Sequence, residues 1–243
     1  QPRSRGLGDV YKRQVTRWLL ELRARDVDAG AAAAATRICL LSRSGGASPA
    51  YVAGRDDLDA AARRAGAAVE ALAVDVGDDA ALERVLSKLG PVAGVVHAAG
   101  LLADAALAQE ELAKLEAVMR PKVRPALVLA RDCGDAALFL LFSSVTALMG
   151  NAGQCTYGAA NGALDALARA TAGIRSIQWG PWAERGMAAA MRERLEQRSA
   201  WSPLRDDDAF RGLGAALAAP GPPVVAVARL QGPFLRRDAR SSH

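Results

Sequence analysis

Histidine is scarce in this chain of 243 residues, with only His97 and His243, and three cysteines stand far apart at Cys39, Cys133 and Cys155. So few nitrogen and sulfur ligands argue against a metal centre. An odd number of dispersed cysteines among apolar and small residues argues against a disulfide framework and suits a reducing compartment. Aromatic residues make up 5%, and the basic residues are scattered, so the net charge of +5 does not read as a nucleic-acid surface. No apolar run reaches the length of a bilayer span, and no charged start leads into a signal-type apolar stretch. The expectation is a soluble protein of the cytoplasm or a plastid, with neither nucleic acid nor membrane as partner.

What the chain has in plenty is apolar residues, 51% against 23% charged, enough for the core of one α/β domain. Residues 1–14 depart in composition from the alanine-rich remainder, show no helical or strand periodicity, and read as a foreign leader that resembles translated adapter sequence. Gly6 and Gly8 there follow no strand, so they make a poor phosphate-binding turn. From Val15 the pattern changes: Val15, Trp18, Leu19 and Leu22 fall on one helical face.

Strands are expected at 37–41, 69–74, 92–96, 138–144 and 174–178, with a last one within 222–230. Helices are expected at 56–65, 78–89, 107–118, from Tyr157 onward, and at 187–197 and 206–219, with an interruption or kink at Pro121-Lys122-Val123. Residues 236–243 read as a frayed tail. This alternation predicts an α/β fold, a doubly wound parallel sheet with helices on both faces.

Reactive groups in such sheets collect at the carboxyl ends of strands. The apolar run Leu138 to Phe142 ends in Ser143-Ser144, which puts a hydroxyl at the rim of a cleft. Tyr157 and Asn161 are 161 − 157 = 4 residues apart, on one helical face. A serine, a tyrosine and a polar residue one turn on suggest proton transfer to a carbonyl oxygen; a loop serine and a half-buried tyrosine are the plain alternative. Ser42-Arg43 ends the 37–41 strand, and a hydroxyl with a basic residue there suits a ribose 2′-phosphate, where an NAD site usually offers a carboxylate. A solvated arginine in a turn fits as well. Small residues after His97 would let backbone approach a ligand, although they also allow tight helix packing.

With these positions in place, residues 15–235 resemble the ketoreductase domain of modular polyketide synthases, within the short-chain dehydrogenase/reductase superfamily. Tyr157 follows Ser144 by 157 − 144 = 13 residues, the family spacing. The wider superfamily puts a lysine four residues after the tyrosine, whereas polyketide ketoreductases put asparagine there and take the lysine from the preceding helix region. Asn161 and Pro121-Lys122-Val123 match that exchange. Leu41-Ser42-Arg43, Asp75-Val76, Val96-His97-Ala98-Ala99-Gly100 and Trp179-Gly180-Pro181-Trp182-Ala183 agree further.

The resemblance implies NADPH-dependent reduction of a β-ketoacyl thioester, held by an acyl carrier protein among other polyketide synthase domains. It implies Tyr157, Ser144, Lys122 and Asn161 as catalytic residues. Ser42, Arg43, Asp75, Val76, His97, Ala98, Ala99, Gly100, Pro181 and Trp182 are the implied cofactor contacts. Leu102-Ala103-Asp104 keeps part of a Leu-Asp-Asp motif that marks one product configuration, and Met149 holds the position of the tryptophan that marks the other, so Asp104 and Met149 are the implied stereocontrol residues. Two departures stand out. The first strand and glycine-rich turn expected ahead of Val15 read as missing or overwritten by the leader, and the stretch from Leu164 to Ile174 is short. The first leaves an alternative reading, a ketoreductase fragment or structural domain without catalytic competence.

Overall fold

The computed structural model describes residues 7–30, 36–182, 201–218 and 220–230. It divides into two compact units, 1–90 and 91–243.

The first unit opens with α1 (Leu7–Asp28). Within the residues read as a leader, the chain is helical from Leu7 on. No proline interrupts 7–14, and local propensity carries the helix backward without an apolar stripe to announce it. Strand β1 (Thr36–Ser42) pairs in parallel with β2 (Ala67–Ala73), and the short helix α2 (Pro49–Ala53) and α3 (Arg55–Arg64) connect them. Leu20 of α1 meets Tyr51, Leu58, Ala61, Ala62 and Ala65 in the core of this unit. Gly66, with φ 58°, turns the chain from α3 into β2 in a conformation few other residues adopt. Helix α4 (Asp79–Leu89) starts on the Asp78 carboxylate, which accepts from the Ala81 amide at 3.0 Å, a cap that contributes about 1 kcal/mol.

The second unit is built on β3 (Gly94–His97), β4 (Leu138–Ser144), β5 (Ile174–Trp179) and β7 (Val224–Val227), hydrogen-bonded in that order and all parallel. β4 has neighbours on both sides, and Phe139, Leu140 and Leu141 are buried together. Burial on both faces explains its unbroken apolar run. Helices α5 (Leu112–Asp132) and α7 (Cys155–Ala170) pack on each other, and α7 packs on β4 and β5. The short helix α6 (Thr146–Met149) links β4 to the turn before α7. Beyond β5, β6 (Trp201–Ser202) pairs antiparallel with β8 (Arg229–Leu230), and α8 (Asp206–Ala218) carries Phe210.

Several boundaries differ from expectation. Residues 107–109 form a single 3-10 turn, and α5 begins only at Leu112. α5 is not interrupted at Pro121; it runs through both Pro121 and Pro125. Each proline removes one intrahelical donor, yet Val118, Lys122, Pro125, Ala126 and Leu129 are buried along one face, and that packing holds the helix. The last strand divides into β7 and β8, while α2 and α6 were too short to leave a periodic signal. The expected 187–197 helix lies outside the described residues. Parallel α/β pairing holds in both units, as a two-stranded and a four-stranded sheet.

Candidate active site

At the carboxyl end of β4, Ser144 turns its hydroxyl back so that Oγ accepts from the Thr146 amide at 3.2 Å. Its neighbour Ser143 donates from Oγ to the Asn161 carbonyl at 3.3 Å, which pins α7 to the strand. Asn161 is wholly buried, and its Nδ2 donates to the Tyr157 carbonyl at 2.8 Å. Burial pushes the half-buried Tyr157 phenol above its ordinary value. Hydrogen bonds with the Asn161 and Ser144 side chains pull it back, and the Asp104 carboxylate adds to the rise.

Lys122 reaches this group from α5. Its Nζ donates to the Phe142 carbonyl of β4 at 2.9 Å and lies 5.5 Å from the centre of the Tyr157 ring. Only 4% of the residue is exposed. Burial lowers the ammonium to about 8, and the attraction of Asp165 opposes that fall. The His97 ring, at the end of β3, fixes the same helix through a hydrogen bond of 2.8 Å between Nε2 and the Lys122 carbonyl. The four residues read as catalytic thus converge from α5, β4 and α7.

The other expected residues fall at strand ends within their own units. In the second unit Ala98, Ala99 and Gly100 continue from His97, and a Cβ placed on Gly100 would lie 3.5 Å from Lys122 Nζ. Pro181 accepts from the Leu204 amide at 2.6 Å. Trp182 is buried, with ring centres 5.1 Å from Trp179 and 5.6 Å from Phe210, so its indole anchors α8 to the sheet. In the first unit the Ser42 carbonyl accepts from Val74 at 2.8 Å, which puts Ser42-Arg43 beside Asp75-Val76. Arg43 is exposed, and the Asp75 carboxylate accepts from the Gly77 amide at 3.0 Å.

Of the stereocontrol residues, Asp104 accepts from Gln154 Nε2 at 3.0 Å, Gln154 Oε1 in turn accepts from Asn151 at 2.9 Å, and the Ala105 amide donates to the Gly153 carbonyl. The segment after β3 is thereby tied to the turn that precedes Tyr157. Met149 stands largely exposed at the end of α6. Sequence reasoning missed Gln154 and Asp165. Asp165 reads in sequence as an ordinary helical acid two turns after Tyr157; Gln154, in a turn, left no periodic trace.

The KR domain family model matches residues 11–184. The chain belongs to that family. A KR relative, the polyketide synthase GfsB of Streptomyces halstedii, is 40% identical over 225 residues, which cover 88% of this chain and 4% of that one. Among solved structures, an A-type ketoreductase from a modular polyketide synthase superposes with a TM-score of 0.75 at 32% identity, covering 90% of this chain and 45% of that one. The ketoreductase from the first module of phoslactomycin biosynthesis in Streptomyces sp. HK803 is similar with a TM-score of 0.73 and 36% identity, over 87% of this chain and 50% of its own. The KR chain described here therefore spans a small part of its curated relative and about half of these solved chains.

KR membership implies a nicotinamide cofactor, and the donor set fits one. Asn161 Oδ1 is buried with no protein partner, Lys122 has ammonium protons beyond the one given to Phe142, and residues 98–100 carry no bulky side chain beside it. Such a surround suits a group rich in hydroxyls, like the nicotinamide ribose.

Proposed function

We propose that this KR domain reduces the β-keto group of an acyl thioester to a hydroxyl, with the acyl group borne on the phosphopantetheine of an acyl carrier protein and with NADPH as reductant. The observation that carries this reading is the convergence of Lys122, Ser144, Tyr157 and Asn161 at the end of β4. Bound NADPH supplies a hydride to the keto carbon. Ser144 holds the keto oxygen by hydrogen bond, and the Tyr157 hydroxyl gives that oxygen its proton as negative charge develops there. The phenolate left behind is stabilised by the Lys122 ammonium and regains a proton through the buried Lys122 and Asn161 groups. Lys122 and residues 97–100, with Pro181, would hold the nicotinamide end; Trp182 supports Pro181 from behind. In the other unit, Ser42 and Arg43 suit the 2′-phosphate and Asp75-Val76 the adenine.

Asp104 and Met149 are the proposed guides of substrate approach, Asp104 by way of Gln154. The reading of a silent scaffold is disfavoured by a site in which every catalytic side chain is bonded in place. NADPH oxidation measured with a β-ketoacyl thioester tests the proposal: turnover that Tyr157→Phe abolishes supports it, and equal rates in the two proteins would sink it.

A further inference from the structure

Two formally charged side chains are buried among the described residues, Lys122 and Asp165. Both belong to the second unit, on the packed helices α5 and α7. Tyr157, Asn161 and Asp165 follow one another at intervals of four along α7, so a single face of that helix presents phenol, amide and carboxylate in line. Asp165 is held without freedom. One oxygen accepts from Ser176 Oγ at 2.6 Å and the other from Gln178 Nε2 at 2.7 Å, both on β5. These partners are neutral, and a buried carboxylate with only neutral donors calls for a cation.

The neighbouring elements narrow the choice. β4 brings only the neutral Ser143 and Ser144, α6 and β7 carry no ionisable side chain, and the Arg175 guanidinium of β5 donates to the Ala216 carbonyl. From β3, His97 meets the Lys122 carbonyl rather than its ammonium. On α5 the buried charged residue is Lys122, whose ammonium is attracted by Asp165.

We infer that Asp165 is the fixed counter-charge of Lys122, a positioning residue that keeps the ammonium charged and seated behind Tyr157. This rests on the reading of Lys122 and Tyr157 as the proton-handling pair.

The test follows the 13Cε resonance of Lys122 through a pH titration of the full chain with 13C-labelled lysine, the signal being identified by its loss in Lys122→Met. Asp165→Asn, which keeps the shape and removes the charge, is expected to lower the Lys122 midpoint by roughly one pH unit. Asp165→Glu should restore most of it, and Ser176→Ala, which loses a hydrogen bond but no charge, should leave it in place. An unmoved midpoint in folded Asp165→Asn overturns the inference. Should that variant fail to fold, Lys122→Met/Asp165→Asn decides: recovery of a cooperative thermal unfolding transition when both charges are removed supports the pairing, and a double variant that still fails to fold overturns it. Reductase assays run separately. A midpoint that moves in a protein with no reductase activity upholds the pairing and removes the proton-transfer reading instead.

Discussion

Both units place chemistry-bearing residues at the carboxyl ends of parallel strands, and they hold those residues in opposite ways. In the second unit Lys122 and Ser144 are buried and bonded to the backbone of neighbouring elements, and Asn161 is buried and bonded to the backbone of its own helix. In the first, Arg43 is exposed and Ser42 and Asp75 are half-buried. A group that transfers a proton must already be in position when the substrate arrives, because reorganisation then adds to the barrier. A group that grips a phosphate can close on it after contact. Burial therefore separates the residues suited to chemistry from those suited to binding.

The strongest way to break this comparison is Tyr157→Phe. Loss of the proposed proton donor should lower kcat about a thousandfold while KM changes little; initial rates in NADPH and thioester separate the two. Next come paired core truncations. Phe139→Ala, at 1% exposure, should destabilise the second unit by about 3 to 5 kcal/mol, and Leu40→Ala, on a half-buried strand, by clearly less; denaturant titration reads both.

A pH profile sharpens the point further. With Lys122 at about 8 and Tyr157 shifted upward, the rate should fall by roughly tenfold per pH unit above about 8, and Lys122 sets that limb. The sign for stability is opposite. The Lys122 folded value lies below the ordinary 10.5, so the unfolded chain binds the extra proton between about 8 and 10.5, and Lys122 makes the fold relatively more stable as pH rises through that window. Thermal melts at pH 7.5 and 9.5, compared with Lys122→Met, check it. The smallest effect is Arg43→Ala, expected to raise KM for NADPH about tenfold with kcat unchanged. A fall in kcat of the size seen for Tyr157→Phe would erase the contrast between the units.

Much of this was legible in advance because burial leaves a pattern. The unbroken run 138–142 marked β4, and the spacing of Ser144, Tyr157 and Asn161 marked the site. Residues whose role depends on tertiary partners left less. Gln154 is an ordinary turn residue until Asp104 is brought to it, and Asp165 looks like any helical acid until Ser176 and Gln178 are seen to enclose it. Pro121 misled because a breaker read locally is overridden by the buried face around it. The helical start at Leu7 escaped for the converse reason, since it has propensity without periodicity.

Lys122 lies on α5 and Tyr157 on α7, 157 − 122 = 35 residues later, with β4 threaded between them. A lysine placed one turn after the tyrosine would survive in any state that kept the helix. Here the pair exists only when two helices and a strand have closed a long loop and docked. A compact acid state rich in helix would give a near-native far-ultraviolet spectrum and lack this pair, so under the proposed mechanism turnover would report tertiary order, where secondary structure alone would be silent.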